Sequence, residues 1–279
     1  MASRQVPAIS LKDFDNRKDE IREQLVNAAE NTGFLTLVDH CITVEEIEAQ
    51  FTLSKKFFDL PMDTKRKIEF TSDGLGYEYK GQKRILTGVD QKESLLIRRT
   101  SQWPSDEDVP DFRETTEKFL AKCAAVTQQV LSCFATALGF PEGYFKEPMD
   151  VSKPDCLNEL RLLHYPASEK SSGWRAGAHT DFGCLTLLFQ QDGGDGLEIC
   201  PGRETHTSNA RGDTFFPLPA KTGPIVVNIG DMLMSWSDDR FKANYHQVRA
   251  ANGPSPSRYS IAYFNEGRQD FVFQGPQKK

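Results

Sequence analysis

The segment Ala178-His179-Thr180-Asp181-Phe182 sets an imidazole and a carboxylate two residues apart. It lies between two short apolar runs, residues 160–165 and 185–189, each of strand length. On an extended segment, side chains at i and i+2 share a face, so His179 and Asp181 are expected to look the same way. An imidazole and a carboxylate so placed are two of the three donors of a two-His-one-carboxylate centre, which leaves one face of an Fe(II) ion open to other ligands. His-x-Asp alone is a weak motif and is more often a hydrogen-bonded pair. The rest of the chain therefore has to supply a second imidazole.

The candidates are few: His40, His164, His206 and His246 besides His179. His206 lies in the polar stretch 202–213, where a solvated side chain is the default. His40 comes after an apolar run and reads as a turn residue, and His164 reads as a hydrogen-bonded strand histidine. His246 is the best candidate because of the residues on its C-terminal side. Residues 251–257 are turn chemistry, so 245–250 and 258–264 are expected to pair as a hairpin. If Ala250 opposes Arg258, then Val248 opposes Ser260 and His246 opposes Ala262. Opposed residues share a face, so His246, Arg258 and Ser260 would point inward together, and a one-residue slip would undo this. An inward arginine is costly unless it meets an anion, and its planar fork suits a carboxylate. Ser260 can add its hydroxyl. The structural alternative is an Arg258 paired with a local protein acid.

These residues need a scaffold. Residues 15–31 carry Ile21, Leu25, Val26 and Ala29 at helical spacing, with Gly33 as a stop. Thr43-Val-Glu-Glu46 is a capping box that opens a second helix, with Ile47, Phe51, Phe57 and Phe58 as its apolar stripe and Pro61 at its end. The longest helical pattern, 110–138, puts Phe112, Phe119, Cys123, Val126, Val130 and Phe134 on one side and stops at Gly139. Residues 34–38 and 93–97 are strand candidates. Residues 71–89, rich in Gly, Lys and Tyr, have no helical period and read as a loop or an edge hairpin. After Asn158 come short β-like runs: 160–165, 185–189, 197–200, 225–229, 232–236, 245–250 and 258–264. Such runs indicate an antiparallel sandwich or barrel, with 201–221 as an insertion. The chain thus reads as a helical region, 1–150, packed on a β-rich core, 151–279, in one unit.

Composition narrows the partners. A net charge of −6 without a basic stripe argues against nucleic acid or an anionic membrane surface and favours a small-molecule substrate. The apolar runs are strand-sized, so no bilayer span is expected, and the first residues lack the apolar stretch of a signal peptide. Six cysteines without a paired short spacing fit reduced thiols in a cytoplasmic protein.

Taken together, the chain resembles the isopenicillin N synthase-like branch of the Fe(II)/2-oxoglutarate-dependent dioxygenases. His179-Thr-Asp181 resembles the first two metal ligands of that family, His246 the distal one, and Arg258-Tyr-Ser260 its Arg-x-Ser motif. The stretches 185–190, 194–198 and 227–233 also match, as does the N-terminal part from Pro7 through Asn31-Thr-Gly-Phe34 to Phe57. The resemblance implies a mixed α/β (α+β) fold, a double-stranded β-helix or jelly roll with flanking helices. It implies Fe(II) on His179, Asp181 and His246. It further implies 2-oxoglutarate held through its distal carboxylate by Arg258 and Ser260 with help from Tyr165, and O2 as the oxidant. The outcome would be hydroxylation or desaturation of a small organic molecule, as in secondary metabolism. Tyr77, Tyr79, Arg84, Phe182 and Phe264 are the candidates for lining the substrate pocket. Two alternatives stand beside this: an iron oxidase of the same fold that does not use 2-oxoglutarate, and a non-catalytic binding module. The chain departs from the pattern in a long gap from Asp181 to His246 and in Leu163-His-Tyr165, where many members carry Asn-Tyr-Tyr. It also ends at Lys279, sooner than that pattern suggests.

Overall fold

Helices arise where the 3.6-residue period and its punctuation coincide. The computed structural model describes residues 5–79, 83–84, 88–171, 174–200, 214–250, 253–272 and 275–276. Its helices are α1 (Lys18–Asn31), α2 (Val44–Phe58), α3 (Met62–Lys65), α4 (Phe112–Ala137) and α5 (Asp231–Trp236). The capping box at Thr43 is formed in both directions with Glu46. Gly33, after α1, sits at φ +65°, and a Cβ there would lie 2.3 Å from the Lys242 carbonyl and the Asn244 side chain, so only glycine fits.

The strands of the first half are β1 (Ala8–Ser10), β2 (Phe34–Val38), β3 (Gly76–Tyr79), β4 (Lys83–Arg84), β5 (Gly88–Val89) and β6 (Glu93–Ile97). Then come β7 (Glu159–Tyr165), β8 (Ser168–Ser171), β9 (Trp174–His179), β10 (Leu185–Gln190) and β11 (Leu197–Ile199). The last are β12 (Phe216–Pro217), β13 (Ile225–Ile229), β14 (His246–Arg249), β15 (Gly253–Ser255) and β16 (Arg258–Asn265). A larger sheet runs β1-β2-β13-β10-β16-β7-β6-β3 and a smaller one β12-β11-β14-β9, the two walls of a jelly roll. The region 1–150 supplies four strands of the larger sheet, β1, β2, β3 and β6, as well as the main helices. Strand alternation divides the larger sheet by face. Leu160, Leu162, Leu185, Leu187, Phe189, Val227, Ile261 and Tyr263 join the core under α1, α2 and α4. The intervening residues Arg161, Leu163, Thr186, Leu188, Asn228, Arg258, Ser260 and Ala262 line a cavity between the two sheets.

Three expectations fail here. The hairpin between 245–250 and 258–264 does not form: β14 pairs with β9 and β11, whereas β16 pairs with β7 and β10. The stretch between them is not a tight turn, because β15 pairs with β8 and carries the chain from one sheet to the other. His246 and Arg258 both reach the cavity from opposite walls, not from neighbouring strands. Residues 232–236, read as a strand, fall in α5, which begins right after Gly230 with Asp231 in its first turn. Finally, β9 ends at His179, so Asp181 lies in the next bend and not on the strand. Among the described residues no helix is long and apolar enough to cross a membrane. Residues 201–213 of the insertion, His206 among them, lie outside the described residues.

Candidate metal and co-substrate site

Pairing of β9 with β14 sets His179 directly opposite His246, and their rings stand 4.3 Å apart. Asp181 is brought to them by the bend after β9. That bend is held by backbone: the N–H groups of Asp231 and Met232 donate to the carbonyls of Asp181 (2.8 Å) and Phe182 (3.0 Å). Close packing makes this possible, since a Cβ on Gly230 would stand 2.0 Å from the Gly183 carbonyl oxygen. Asp181 Oδ1 then lies 3.8 Å from His179 Nε2 and 3.7 Å from His246 Nε2. The three donor atoms fall within 4.8 Å of one another.

The surroundings orient each donor. His179 Nδ1 meets the Gly177 carbonyl at 2.8 Å, which turns Nε2 toward the cluster. Asp181 Oδ2 accepts from Thr186 Oγ1 (2.6 Å) and Asn228 Nδ2 (2.8 Å), leaving Oδ1 for the imidazoles. Burial pushes the Asp181 carboxyl up, but His246, His179 and these two hydrogen bonds outweigh it and hold it below its ordinary range. An ionised carboxylate and two imidazoles, with open cavity beside them, fit a divalent transition ion. Three donors at right angles about 2.1 Å from an ion would be roughly 3 Å apart, so a small side-chain adjustment closes the set.

The cavity has a volume of about 320 Å³. At one end sits Arg258, 3% exposed. Its Nε donates to the Gly194 carbonyl (2.8 Å), Nη2 to Gln190 Oε1 (3.0 Å) and Nη1 to Ser260 Oγ (3.3 Å). The Tyr165 ring lies 4.9 Å from the guanidinium. No carboxylate among the described residues forms an ion pair with Arg258, and burial pulls its proton affinity down. A buried cation with neutral partners, facing a cavity, is arranged for an anion that enters from outside.

Comparison with known proteins gives the family. Residues 157–267 match the 2OG-Fe(II) oxygenase superfamily, and residues 6–118 match the family described as non-haem dioxygenase in morphine synthesis N-terminal. The chain is 30% identical to the 2-oxoglutarate-dependent dioxygenase frbA of a Dothideomycetidae species, over 96% of this chain and 87% of the relative. The chain belongs to the 2OG-Fe(II) oxygenase superfamily. This oxygenase is also 30% identical to the proline hydroxylase buaE of Petromyces alliaceus, over 93% of the chain and 85% of the relative. A full-length Neurospora crassa protein, solved in complex with alpha-KG, superimposes with a TM-score of 0.83 at 29% identity, over 97% of this chain and 87% of that one. A 2OG-Fe(II) oxygenase family protein from Caulobacter crescentus gives 0.82 at 25% identity, over 98% and 90%. The chain is therefore a 2-oxoglutarate-dependent dioxygenase with Fe(II) as its metal cofactor and 2-oxoglutarate and O2 as its co-substrates, and these relatives lend no support to the oxidase or binding-module alternatives.

The other residues singled out in the sequence divide. Phe264 lines the cavity, and Phe182, 71% exposed, stands at its rim. Tyr77 does not line it. β3 pairs Tyr77 with Leu95, whose side chain belongs to the helix-side core, so Tyr77 faces that way too, packs on Phe57 and donates to Glu93. Tyr79, on the same face at the sheet edge, is exposed and also away from the cavity. The Arg84 side chain lies outside the described residues. His164 is bonded to Glu93 (2.6 Å) and Ser257 (2.7 Å), the strand histidine it was read to be. Sequence reading passed over Thr186, Asn228 and Gln190. Each is a buried polar residue in or at the end of an otherwise apolar strand, Thr186 and Gln190 both on β10, a signal that a buried partner is waiting.

Proposed function

We propose that His179, Asp181 and His246 hold the Fe(II), and that Arg258 and Ser260, beside Tyr165, hold the distal carboxylate of 2-oxoglutarate. When bound, the metal and co-substrate supply an oxidant able to break an unactivated C–H bond, with 2-oxoglutarate leaving as succinate and CO2. The protein's part is positional. Thr186 and Asn228 fix the Asp181 carboxylate, the Gly177 carbonyl fixes the His179 ring, and the Gln190 and Gly194 oxygens aim the Arg258 fork. Leu163, Leu188, Val248 and Ala262 keep the intervening wall apolar. The observation that carries this reading is Arg258, buried with no acid partner among the described residues in the cavity it shares with the three donors. Phe182 and Phe264 are the aromatic groups we assign to the substrate's side of that cavity. The substrate is a small organic molecule, hydroxylated or desaturated in specialised metabolism. The Neurospora crassa relative has also been crystallised with alpha-KG and thymine. Free thiols at all six cysteines support a cytoplasmic setting.

The test is anaerobic titration with Fe(II) and then 2-oxoglutarate, watching for a weak visible charge-transfer band. The band is expected in the wild type, is lost in Asp181→Ala for want of metal, and requires far more 2-oxoglutarate in Arg258→Ala. An unchanged 2-oxoglutarate requirement in Arg258→Ala would remove this arginine from the proposal.

A further inference from the structure

Two charged side chains lining the cavity play no part in the site above. Arg161 lies on β7 and Glu266 just beyond β16, the neighbouring strand. Among the described residues neither forms an ion pair, and the Arg161 Nε is buried with no hydrogen-bond partner. The nearest acid in charge terms is Glu159, also on the cavity wall, which feels Arg161 across space but forms its close ion pair with Arg98 at 2.9 Å, so the Arg161 head keeps donors for another group. Glu266 is fixed by its backbone, whose N–H donates to Asn158 Oδ1 (2.7 Å). Between the two stands Phe264, its ring 5.9 Å from the Arg161 guanidinium.

Their position along the cavity is set by register. Phe264 is opposite Thr186 on β10, and Thr186 is the residue that holds Asp181. This group is therefore level with the three metal donors. Arg161 is opposite Ala262, four residues along β16 from Arg258, or about 13 Å at the usual strand rise. It cannot serve the same carboxylate as Arg258.

We propose that Arg161 and Glu266 hold the molecule being oxidised by its polar group, Arg161 donating to a carbonyl or carboxylate oxygen and Glu266 accepting from a nearby N–H. The substrate class is a small molecule with an N–H within one or two bonds of a C=O group: a cyclic amide or an amino acid. Phe264 supplies the apolar surface against which its ring or side chain rests. This rests on the metal and co-substrate reading, since that reading decides which end of the cavity is left for the substrate.

Binding to the Fe(II)- and 2-oxoglutarate-loaded protein, measured anaerobically by calorimetry and by perturbation of the visible band, tests it. Valerolactam and pipecolic acid carry both groups; cyclohexanone, piperidine and cyclohexanecarboxylic acid carry one each. At least one of the first two is expected to bind about tenfold more tightly than all three others, as for a paired polar group against an unpaired one. Preference for valerolactam identifies cyclic amides, and preference for pipecolic acid identifies amino acids. Arg161→Leu and Glu266→Ala should each weaken the preferred probe about tenfold or more while leaving 2-oxoglutarate affinity within about threefold. If Arg161→Leu does not fold, Arg161→Lys and Glu266→Ala carry the same comparison. Equal binding of the single-group probes, binding of none, or an equal loss of 2-oxoglutarate affinity in Arg161→Leu would overturn the assignment. A wild type that shows no band at all fails the metal and co-substrate reading instead, and calorimetry on the metal-free protein then decides the probe preference separately.

Discussion

At the residue scale, the site depends on side chains that reach no ligand. Asp181 is 7% exposed and offers only Oδ1 to the cluster because Thr186 and Asn228 occupy Oδ2. Either bond lost, the carboxylate can rotate. Thr186→Val or Asn228→Ala should lower metal affinity about 10–100-fold, as is typical when an outer-shell partner of a ligand is removed. Titration with Fe(II) in the absence of oxygen reads this, and a change below about threefold would mean that the bend after β9 alone orients Asp181. Glu266 gives a second prediction. Its carboxyl is pushed up to about 7 by burial and by nearby Glu159, with Arg98 and Arg161 pulling the other way. The unfolded chain has the ordinary carboxyl, so between about pH 4.5 and 7 the folded state binds the extra proton. Native stability from this group is thus full at low pH and declines as pH rises through that window. Its full effect is on the order of 3 kcal/mol. Glu266→Gln should match the wild type in melting temperature near pH 4.5 and exceed it above pH 7. Parallel pH profiles for the two proteins would count against the raised carboxyl.

At the scale of elements, α5 is what carries Asp181 to its place. A Cβ at position 230 would lie 2.0 Å from the Gly183 oxygen, so Gly230→Ala must push α5 and the Asp181 bend apart. It should cost about 1–3 kcal/mol in stability, as overpacking does, and weaken metal binding at the same time. A metal affinity that survives the substitution would show the bend is held by other contacts. A second junction ties α3, β3, β6 and β7 through buried Glu93, which accepts from Lys65 (2.8 Å), His164 (2.6 Å) and Tyr77. Burial pushes the Glu93 carboxyl up, but these bonds outweigh it and hold it below its ordinary value of 4.5. Its contribution is complete above pH 4.5 and is lost as pH falls through the native value. Glu93→Gln should cost about 3–5 kcal/mol near neutrality by leaving Lys65 buried and unpaired, with a shallower acid unfolding curve than the wild type. These junctions show what a sequence does and does not disclose. Helix ends were legible because Thr43, Gly33 and Gly139 act locally. That His179, Asp181, His246 and Arg258 would share one cavity was legible because so few histidines compete and an inward arginine needs a partner; the roles proposed for them await the titrations above. The route by which they meet was not. Turn residues at 251–257 suggest a hairpin, yet whether a turn joins two strands of one sheet or carries the chain to another depends on contacts such as β15 with β8. Likewise, Tyr77 has the composition of a pocket residue, and only its register against Leu95 turns it into the core.

At the scale of the whole molecule, the cavity lies between the two sheets and is lined from both. His179 and His246 belong to the smaller sheet, whereas Asp181 is held by Thr186 and Asn228 of the larger one. A metal bound by all three would clamp one sheet to the other. Arg258 and Ser260 sit on the larger sheet, so 2-oxoglutarate held as proposed would extend the clamp along the cavity. A ligand that binds only the folded state stabilises it by mass action, about 2.7 kcal/mol when present at 100 times its dissociation constant. At roughly 2 °C per kcal/mol for a chain of this size, Fe(II) without oxygen should raise the melting temperature about 5 °C. Adding 2-oxoglutarate should raise it again, but only once metal is present, because the proposed site holds the co-substrate through both the ion and the guanidinium. Arg258→Ala should keep the first increment and lose the second, and Asp181→Ala should lose both. The free protein adds a sharper test. Arg258 is a buried charge with no acid partner among the described residues, so its loss removes a desolvation cost as well as its hydrogen bonds to Gln190, Gly194 and Ser260. Ligand-free Arg258→Ala should therefore melt no more than about 2 °C below the wild type, despite the size of the side chain removed. A large drop in the ligand-free variant would mean that the guanidinium holds the sheets together itself, and that the anion is not what it was placed to meet.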